Sequence, residues 1–407
     1  MDFINRWPYD IVDLVFQHVS GRQILELMTV SQEWNEHLSR SNALKKIVVK
    51  PNIHKAGMEC LLNSKRKYRH LNVVNATKYS RELIEIISNP NFEFNSINIF
   101  RTQFHEIKQI EQIFVNTSAT LERLELHYLT YEKETPEVTD FVTYNFPRLK
   151  NLKIEYHNDT PWFNKFIASF KNLESISLGN ACDVHMKKLI LNAVKLKKLT
   201  ISGRFYDDNF YKDLSREFKG KLTEFIFNDI LSSSQENVNL SYFNAFFSSQ
   251  SESLCRFETD ALLEPEELES AFKMKNLTDL FIKGFHYNPG FMNIYLENMR
   301  SMELPSAALR SFSVNYMNQH LLELMALNAP DLRELKVERF DVVDVSNPNF
   351  FTKLEILKIF LIDGEIKERV QNKSESERSH FEQLIMSAIS NLNNSIQPLM
   401  LLTMQHL

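Results

Sequence analysis

A single pattern of apolar positions recurs along most of the chain. An apolar residue is followed by two residues of any type, a second apolar residue, one further residue and a third apolar residue. The second half alternates with a period of two, which predicts a short strand with one buried face. Twelve copies fit the pattern, and successive copies begin 22 to 32 residues apart. They begin at Tyr68, Phe94, Leu121, Leu149, Leu173, Leu196, Leu222, Leu254, Leu277, Leu309, Leu332 and Leu354.

The period implies that the copies stack. A short strand and a helical stretch such as Ser80–Ile87 or Ile107–Val115 cannot bury their apolar faces alone. In period and pattern the chain resembles a leucine-rich-repeat protein from about residue 44 to residue 360. The resemblance implies an α/β fold: a curved solenoid of about 12 degenerate repeats, with parallel strands on its concave side and helices on its convex side. Two steps of 32 residues predict inserted loops, at Leu231–Asn239 and His286–Gly290.

The first 45 residues carry a different pattern. Pro8 suits the first turn of a helix, and Gly21 is placed to end that helix. The apolar stripe that follows Pro8 is wider than one packing face requires. So short a helical segment exposes more apolar surface than it can bury, and a helical partner is predicted to cover it. The alternative is a helical cap that only shields the next domain.

From Trp7 to Trp34 the spacing resembles an F-box without a gap. Trp7, Asp10 and Ser31 stand where that family usually has Leu, Glu and Cys, and they keep the rough chemistry. The resemblance implies that this segment binds the Skp-type adaptor of a cullin-RING ubiquitin ligase. The residues expected to bind the adaptor, or to support the helices that do, are Trp7, Pro8, Ile11, Val12, Phe16, Leu25, Val30 and Trp34. For Trp34 the alternative is a core residue that pins the F-box to the solenoid.

Three regions are therefore predicted. Residues 1–45 form the F-box, 46–360 the repeat solenoid, and 361–407 a charged loop followed by a capping helix. The amphipathic stretch Phe381–Leu392 is expected to close the open end of the solenoid, because a bare last repeat would expose its core.

Composition restricts the kind of partner and the compartment. The chain has 407 residues, 47 of them basic and 52 acidic, so a net charge of −5 gives no signature of nucleic-acid or membrane binding. Three widely separated cysteines fit a reducing compartment. No signal peptide and no apolar run of about 18 residues is visible. The expected location is cytoplasmic, nuclear or both.

Catalytic and metal-binding motifs are absent from the sequence. With eight glycines, the chain has no glycine-rich phosphate loop and no nucleophile elbow. It has no C-x-x-C, and no two histidines lie four residues apart. We therefore expect no cofactor, no metal and no enzymatic activity.

Target recognition is predicted on the water-facing positions of the later strands. These positions carry charges of alternating sign, which favours a protein target over nucleic acid. Two 32-residue steps bracket the region, and an aromatic residue lies between charges. The predicted residues are Ile226, Arg256, Asp279, Phe281 and Lys283, and the second choice is the earlier set Phe100, Arg123 and Lys153.

The sequence leaves two other functions open. One is a stand-alone leucine-rich-repeat scaffold or inhibitor with a non-functional F-box. The other is a small-molecule receptor in which a pocket holds the target through a bound ligand. The identity of the target does not follow from any of these patterns.

Overall fold

The computed structural model groups the chain into two compact units, Met1–Leu196 and Lys197–Leu407, and each is described by itself. The residues that the structure describes are 4–16, 18–40, 48–49, 55–64, 68–90, 92–133, 145–155, 170, 172–179, 184–202, 208–228, 241–260, 270–282, 308–342, 344–345, 347, 350–362, 371–387 and 390.

Short helices open the first unit. A 3-10 turn at Ile4–Arg6 is followed by helices α1 (Tyr9–Phe16), α2 (Gly21–Leu27) and α3 (Gln32–Arg40). The carbonyl of Pro8 accepts the N–H groups of Ile11 and Val12 at 3.0 and 3.1 Å, so Pro8 does begin the first helix.

The prediction that Gly21 ends the first helix is wrong. Gly21 is the first residue of α2 and does not end α1. Ser20 and Gln23 form a reciprocal capping box, in which each side chain binds the backbone N–H of the other residue. This cap satisfies two N–H groups at the start of α2 and therefore places the helix boundary before Gly21.

The rest of the first unit alternates strands and helices. Six strands form one parallel sheet in the order β1-β2-β3-β5-β7-β8, and β4 pairs with β6 in a second sheet. The elements are β1 (Val48–Val49), α4 (Lys55–Leu62), β2 (His70–Val74), a 3-10 turn (Thr77–Tyr79), α5 (Ser80–Ile87), β3 (Ser96–Phe100), β4 (Gln103–Glu106), α6 (Ile107–Thr117), β5 (Arg123–His127), β6 (Thr130–Lys133), β7 (Asn151–Glu155), β8 (Ser175–Gly179) and α7 (Val184–Asn192).

The second unit repeats the arrangement. Its strands are parallel and pair in chain order from β9 to β15. The elements are β9 (Lys198–Ser202), α8 (Asp208–Glu217), β10 (Glu224–Asn228), α9 (Ser241–Ser249), β11 (Arg256–Thr259), β12 (Asp279–Ile282), β13 (Ser311–Asn318), α10 (Gln319–Asn328), β14 (Glu334–Asp341), β15 (Ile356–Ile362) and a 3-10 turn (Glu375–Glu377); residues 380–387 are also helical.

The register between neighbouring strands accounts for the repeated apolar pattern. Equivalent apolar positions of neighbouring strands lie side by side, as in Leu71, Ile97 and Leu124, and all are buried. The alternating half of all twelve copies lies in strands of these sheets, so the predicted strands are confirmed. Parallel strands with intervening helices fit a leucine-rich-repeat fold. The two predicted insertions lie outside the described residues.

Three consecutive strands end in the same turn. Asn75, Arg101 and Tyr128 follow β2, β3 and β5, and each has a left-handed backbone with φ of 56°, 51° and 53°. Their N–H groups donate to the carbonyls of Phe100, His127 and Glu155, each at 2.9 Å. The repeated hydrogen bond to the next strand holds a conformation that residues other than glycine seldom adopt.

Aromatic side chains fill the core of the second unit. Phe243 of α9 lies 5.2 Å from Phe227, 5.4 Å from Tyr211 and 6.0 Å from Phe225, measured between ring centroids. Phe247 of the same helix lies 4.5 Å from Phe257 of β11. These rings join α8 and α9 to the buried face of β10 and β11.

The segment after β15 packs back on the second unit. Phe381 is buried and contacts the rings of Phe340, Phe350 and Phe351 at 6.2, 6.3 and 5.6 Å. The nearby Glu382 is buried and pairs with Lys373 at 2.7 Å. The helix at 380–387 therefore covers apolar side chains contributed by β14 and the turn before β15.

Candidate functional site

The N-terminal helices bury part of the predicted adaptor-binding set. Val12, Phe16 and Trp34 are buried, and the rings of Phe16 and Trp34 meet edge to face at 6.1 Å. The other buried apolar side chains here are Ile4, Ile24, Met28 and Leu38. Val12, Phe16 and Trp34 therefore pack inside the N-terminal segment, and the expected binding role of these three residues stays a prediction.

Four apolar side chains on these helices and one in the turn between α2 and α3 are exposed to water, and these five form the exposed apolar set. Its members are Ile11 (45% exposed), Leu14 (58%), Val15 (43%), Leu25 (41%) and Val30 (61%). Ile11, Leu14 and Val15 share one side of α1, because residues three and four apart are neighbours on a helix. Of the remaining predicted residues, Pro8 is exposed and Trp7 is half-buried. Leu14 and Val15 were not named from the sequence, because the apolar period does not show which side of the stripe faces outwards.

The predicted target-binding residues lie together on the second unit. Arg256 and Asp279 are register partners on β11 and β12, and Phe281 of β12 is the partner of Glu258. Ile226 of β10 is also paired with Glu258. These four predicted residues therefore share one face of three adjacent strands. Lys283 lies outside the described residues.

Ion pairs hold this face together. The Arg256 guanidinium lies 4.6 Å from the centroid of the Phe281 ring, its Nη2 is 2.9 Å from Glu258, and its Nε is 3.4 Å from Glu224. Lys336 Nζ is 5.7 Å from the same ring. Phe281 is half-buried between these cations and does not project freely. The apolar side chains of this face that do face water are Ile356 (44% exposed) and Phe360 (62%), on β15.

A histidine between two glutamates occupies the equivalent face of the first unit. His127 of β5 is buried, and its Nδ1 lies 2.8 Å from Glu155 Oε2 on β7. Its Nε2 lies 3.7 Å from Glu125 Oε2 on the same strand. Glu125 also pairs with Arg123, and Glu155 pairs with Lys153 at 3.0 Å.

A glycine on the next strand makes room for this cluster. Gly179 of β8 is the register partner of Glu155. A Cβ at Gly179 would lie 2.8 Å from Glu155 Cγ, closer than carbon atoms pack. The one sequence signal for the cluster is therefore the glycine that ends β8, two strands away from the histidine in the sheet.

The pKa values follow from the pairing. Burial of the imidazole lowers the pKa of His127, but its interactions with Glu125 and Glu155 outweigh burial, so this pKa is raised above its usual 6.5. The neighbouring His127 imidazole lowers the pKa of Glu125 to about 2, against the opposing effect of burial. Burial would raise the pKa of Glu155, whereas the hydrogen bonds with His127 and Lys153 lower it below its usual value. The cluster is therefore a charged imidazolium between two carboxylates at mildly acid pH.

A cleft of about 480 Å³ opens beside this cluster, and we call it the amide cleft. It lies over β1, β2, β3, β5 and β7, and its size is in the range of ligand-binding pockets. Its lining is Val48, His70, Leu71, Asn72, Asn95, Ser96, Asn98, Glu122, Arg123, Glu125 and Asn151. The sequence reasoning did not bring these side chains together.

In the part of the chain that the structure describes, no group of three or more His, Cys, Asp or Glu side chains is arranged to hold a metal ion. No described helix has both the length and the apolar character needed to cross a membrane.

Comparison with known proteins gives structural similarities only. No family model matches the sequence, and no curated protein matches it. Among solved structures, an internalin of Listeria monocytogenes is similar at 14% identity and a TM-score of 0.40, over 86% of this chain and 93% of that chain. TLR13, solved as a TLR13–ssRNA13 complex, is similar at 14% identity and a TM-score of 0.34, over 78% of this chain and 55% of that chain. A protein of Bacteroides fragilis is similar at 13% identity and a TM-score of 0.33, over 84% of this chain and 81% of that chain. Because these TM-scores are below 0.5, the repeat architecture rests on the strand register of this chain.

Proposed function

We propose that this protein is the substrate-recognition subunit of an Skp-cullin-F-box type ubiquitin ligase. Its N-terminal helices would bind the Skp-type adaptor, and its repeats would bind a target protein for ubiquitination. The observation that carries the proposal is the exposed apolar set, which lies in an N-terminal segment whose sequence has the spacing of an F-box. Transfer chemistry would belong to other subunits, and this chain would act by holding the target nearby.

The N-terminal helices are suited to a helical partner. They close a core of their own around Phe16 and Trp34, so the exposed apolar set is not needed inside the segment. Fully burying a side chain such as leucine or valine contributes about 1.5–3 kcal/mol. Each member of the exposed apolar set is roughly half accessible, so its burial by a partner would contribute about half of that free energy. The five together would contribute roughly 4–8 kcal/mol before the cost of association, so the set supplies apolar anchors and the rest of the affinity comes from the partner's other contacts.

The strand faces are suited to a protein target. In the second unit Lys198, Glu224, Arg256 and Glu258 form a chain of alternating charges across β9, β10 and β11. Such a face has no continuous cationic track for phosphates. Alternating charge selects a partner surface of complementary pattern. Binding, not catalysis, is the function that this arrangement supports.

A stand-alone scaffold or inhibitor is the second candidate. One observation favours it: Val12, Phe16 and Trp34 are explained by packing inside the N-terminal segment and need no partner. The exposed apolar set is the observation that favours the ligase subunit over the scaffold. A scaffold would bind its target without bringing an adaptor or a cullin.

Replacing Ile11 and Val30 by glutamate is expected to abolish adaptor binding. Each substitution places a charge where an apolar side chain would be buried in the complex. The measurement is capture of a purified Skp-type adaptor, and of adaptor–cullin complex, by the full chain. Val115→Glu in α6 is the matched control, because Val115 is 58% exposed and Val30 is 61% exposed. Capture by the control and loss by the double variant support the ligase function, whereas no capture by the unmodified chain favours the scaffold.

The pair Arg256→Glu and Phe281→Ala is expected to weaken target binding and to leave adaptor capture intact. Loss of one interface anchor typically costs about 2 kcal/mol, which is roughly a 30-fold weaker complex. Affinity for each captured partner protein is compared with that of Arg333→Glu, a control that disrupts the exposed Arg333–Glu355 pair. If every partner binds the pair variant as well as the control, the target site lies elsewhere, and Phe100, Arg123 and Lys153 become the next residues to replace.

A further inference from the structure

An arginine at one edge of the first sheet carries a positive charge that no carboxylate balances. Arg101 follows β3 and is exposed, and within the described residues no ion pair reaches its guanidinium. The arginines on the strand faces differ, because Arg123 is paired with Glu125 and Arg256 with Glu258. Arg101 therefore presents its charge to solvent.

Three acidic side chains on nearby strands are held by histidines. Glu125 of β5 and Glu155 of β7 lie on either side of His127. On β6, which follows the next turn, Glu132 is paired with His105 at 2.8 Å. These carboxylates bind other groups and do not neutralise Arg101.

Two aromatic rings hold the Arg101 side chain in place. Its guanidinium carbon lies 5.0 Å from the centroid of the Phe100 ring and 5.9 Å from that of Tyr128. The two rings meet edge to face at 5.6 Å. A guanidinium that contacts rings through its face keeps the N–H groups at its rim for an acceptor. The cation is therefore positioned in advance of binding.

The turn itself does not require an arginine. Asn75, Arg101 and Tyr128 occupy equivalent left-handed positions, for which asparagine is a favoured residue and arginine and tyrosine are not. The hydrogen bonds of these turns use backbone N–H groups alone. The side chains at 101 and 128 are thus explained by what they contact. One such role is to shield Phe100, and the experiment below separates that role from binding.

The surroundings of Arg101 favour a carboxylate that stands beside an apolar group. Val74, the register partner of Phe100, is 43% exposed, so an apolar contact adjoins the ring. The ring of Phe100 already contacts Arg101, Tyr128 and His127, which leaves little of it for a nucleobase to stack on. One unbalanced cation matches a single negative charge, and the guanidinium fork matches the two oxygens of a carboxylate.

We propose that Val74, Phe100, Arg101 and Tyr128, which we call the arginine corner, bind an acidic side chain of the target protein that is flanked by an apolar residue. The carboxylate would accept the N–H groups of Arg101, and the apolar neighbour would cover Val74 and the edge of Phe100. The inference rests on the target-binding half of the proposed function. It does not depend on the N-terminal helices.

A displayed library of random peptides tests the proposal. It is selected on the full chain, and peptides that also bind the Arg101→Gln variant are removed. The remaining peptides are expected to carry Asp or Glu beside an apolar residue. In a synthesised member, replacing that acid by its amide should weaken binding at least about tenfold, because a hydrogen bond to a charged group is stronger than a neutral one.

The same peptide pair is then measured on two variants. On Arg101→Gln the amide replacement should have no further effect, because both changes remove one interaction. Arg81→Gln in α5 is the matched control, since Arg81 is also exposed and has no ion pair within the described residues. The control is expected to bind both peptides as the unmodified chain does.

Four outcomes would overturn the proposal: no peptide left after counter-selection, selected peptides without an acid, additive effects of the two replacements, or tighter binding when phosphoserine replaces the acid. Hydrogen exchange of the β3 and β5 amides tests the shielding role. Faster exchange in Arg101→Gln with unchanged peptide binding would show that the side chain only covers Phe100. The Ile11→Glu, Val30→Glu variant is expected to bind the peptide normally while losing the adaptor, so this inference and the ligase function fail separately.

Discussion

Replacing Phe243 by alanine is expected to lower the free energy of unfolding of the second unit by about 3–5 kcal/mol. Phe243 is buried, and the rings of Tyr211, Phe225, Phe227 and Phe247 all lie within 6.0 Å of its own. Removing the ring leaves a cavity among large aromatic side chains, which cannot close it without leaving their own contacts. The loss is a large fraction of the stability of a typical domain.

Hydrogen exchange of the β10 and β11 amides measures this loss in the unit concerned, because the two units need not unfold together. Phe360→Ala is the matched control, since it deletes the same side chain where that side chain is 62% exposed. The control is expected to change stability by less than about 0.5 kcal/mol. Equal losses of unfolding free energy in both variants would show that burial of Phe243 among the rings does not determine its contribution to stability.

Replacing His127 by glutamine is expected to destabilise the first unit by about 1–3 kcal/mol near pH 5.5. The substitution removes a cation from between Glu125 and Glu155 and leaves two partly buried carboxylates facing a neutral amide. Solvent screens part of this effect, because Glu155 remains 24% exposed. The buried position of the imidazole keeps the loss above that of a surface ion pair.

The difference between the unmodified chain and this variant should depend on pH. The pKa of His127 is raised, so its stabilisation is fully present below about pH 6.5 and is lost as the pH rises through its folded value. The pKa values of Glu125 and Glu155 are lowered, so their stabilisation is present above about pH 4.5 and is lost as the pH falls, for Glu125 towards a pKa of about 2. The difference is therefore expected to be largest between about pH 4.5 and 6.5.

Chemical unfolding of both proteins at pH 3, 5.5 and 9 tests this dependence. His105→Gln is the control, because His105 lies at the same 2.8 Å from Glu132 but is 63% exposed. An exposed pair contributes little, so the control should change stability by less than about 0.5 kcal/mol at each pH. A His127 variant whose loss is the same at all three pH values would contradict the assignment of a charged cluster.

The strands of the repeat were predictable because their signal is local. A period of two places apolar side chains on one face of a strand whatever lies beside it, and all twelve copies lie in parallel strands. The start of α2 was not predicted, since it depends on the reciprocal hydrogen bonds of Ser20 and Gln23, and glycine alone is an ambiguous boundary signal.

The candidate surfaces were predicted only in part. The sequence placed Arg256 and Phe281 on one face, but it did not show that Arg256 stacks on that ring and is held by Glu224 and Glu258. In the N-terminal helices the apolar period was clear, yet Val12 is buried and Ile11 beside it is 45% exposed. A wide apolar stripe contains both kinds of residue, and only the packing of the helices against one another separates them.

By itself, the sequence determined the alternation of strands and helices, the side of each strand that is buried and the mixed charge of the other side, because each depends on residues a few positions apart. The tertiary structure decided the rest. His127 meets Glu155 28 residues later, and Asn98 meets Glu125 27 residues later, because adjacent strands bring equivalent positions of successive repeats side by side. That lateral register, the room left by Gly179 and the irregular lengths between copies determine the result. They decide which charges pair, which histidine is buried and where a cleft opens.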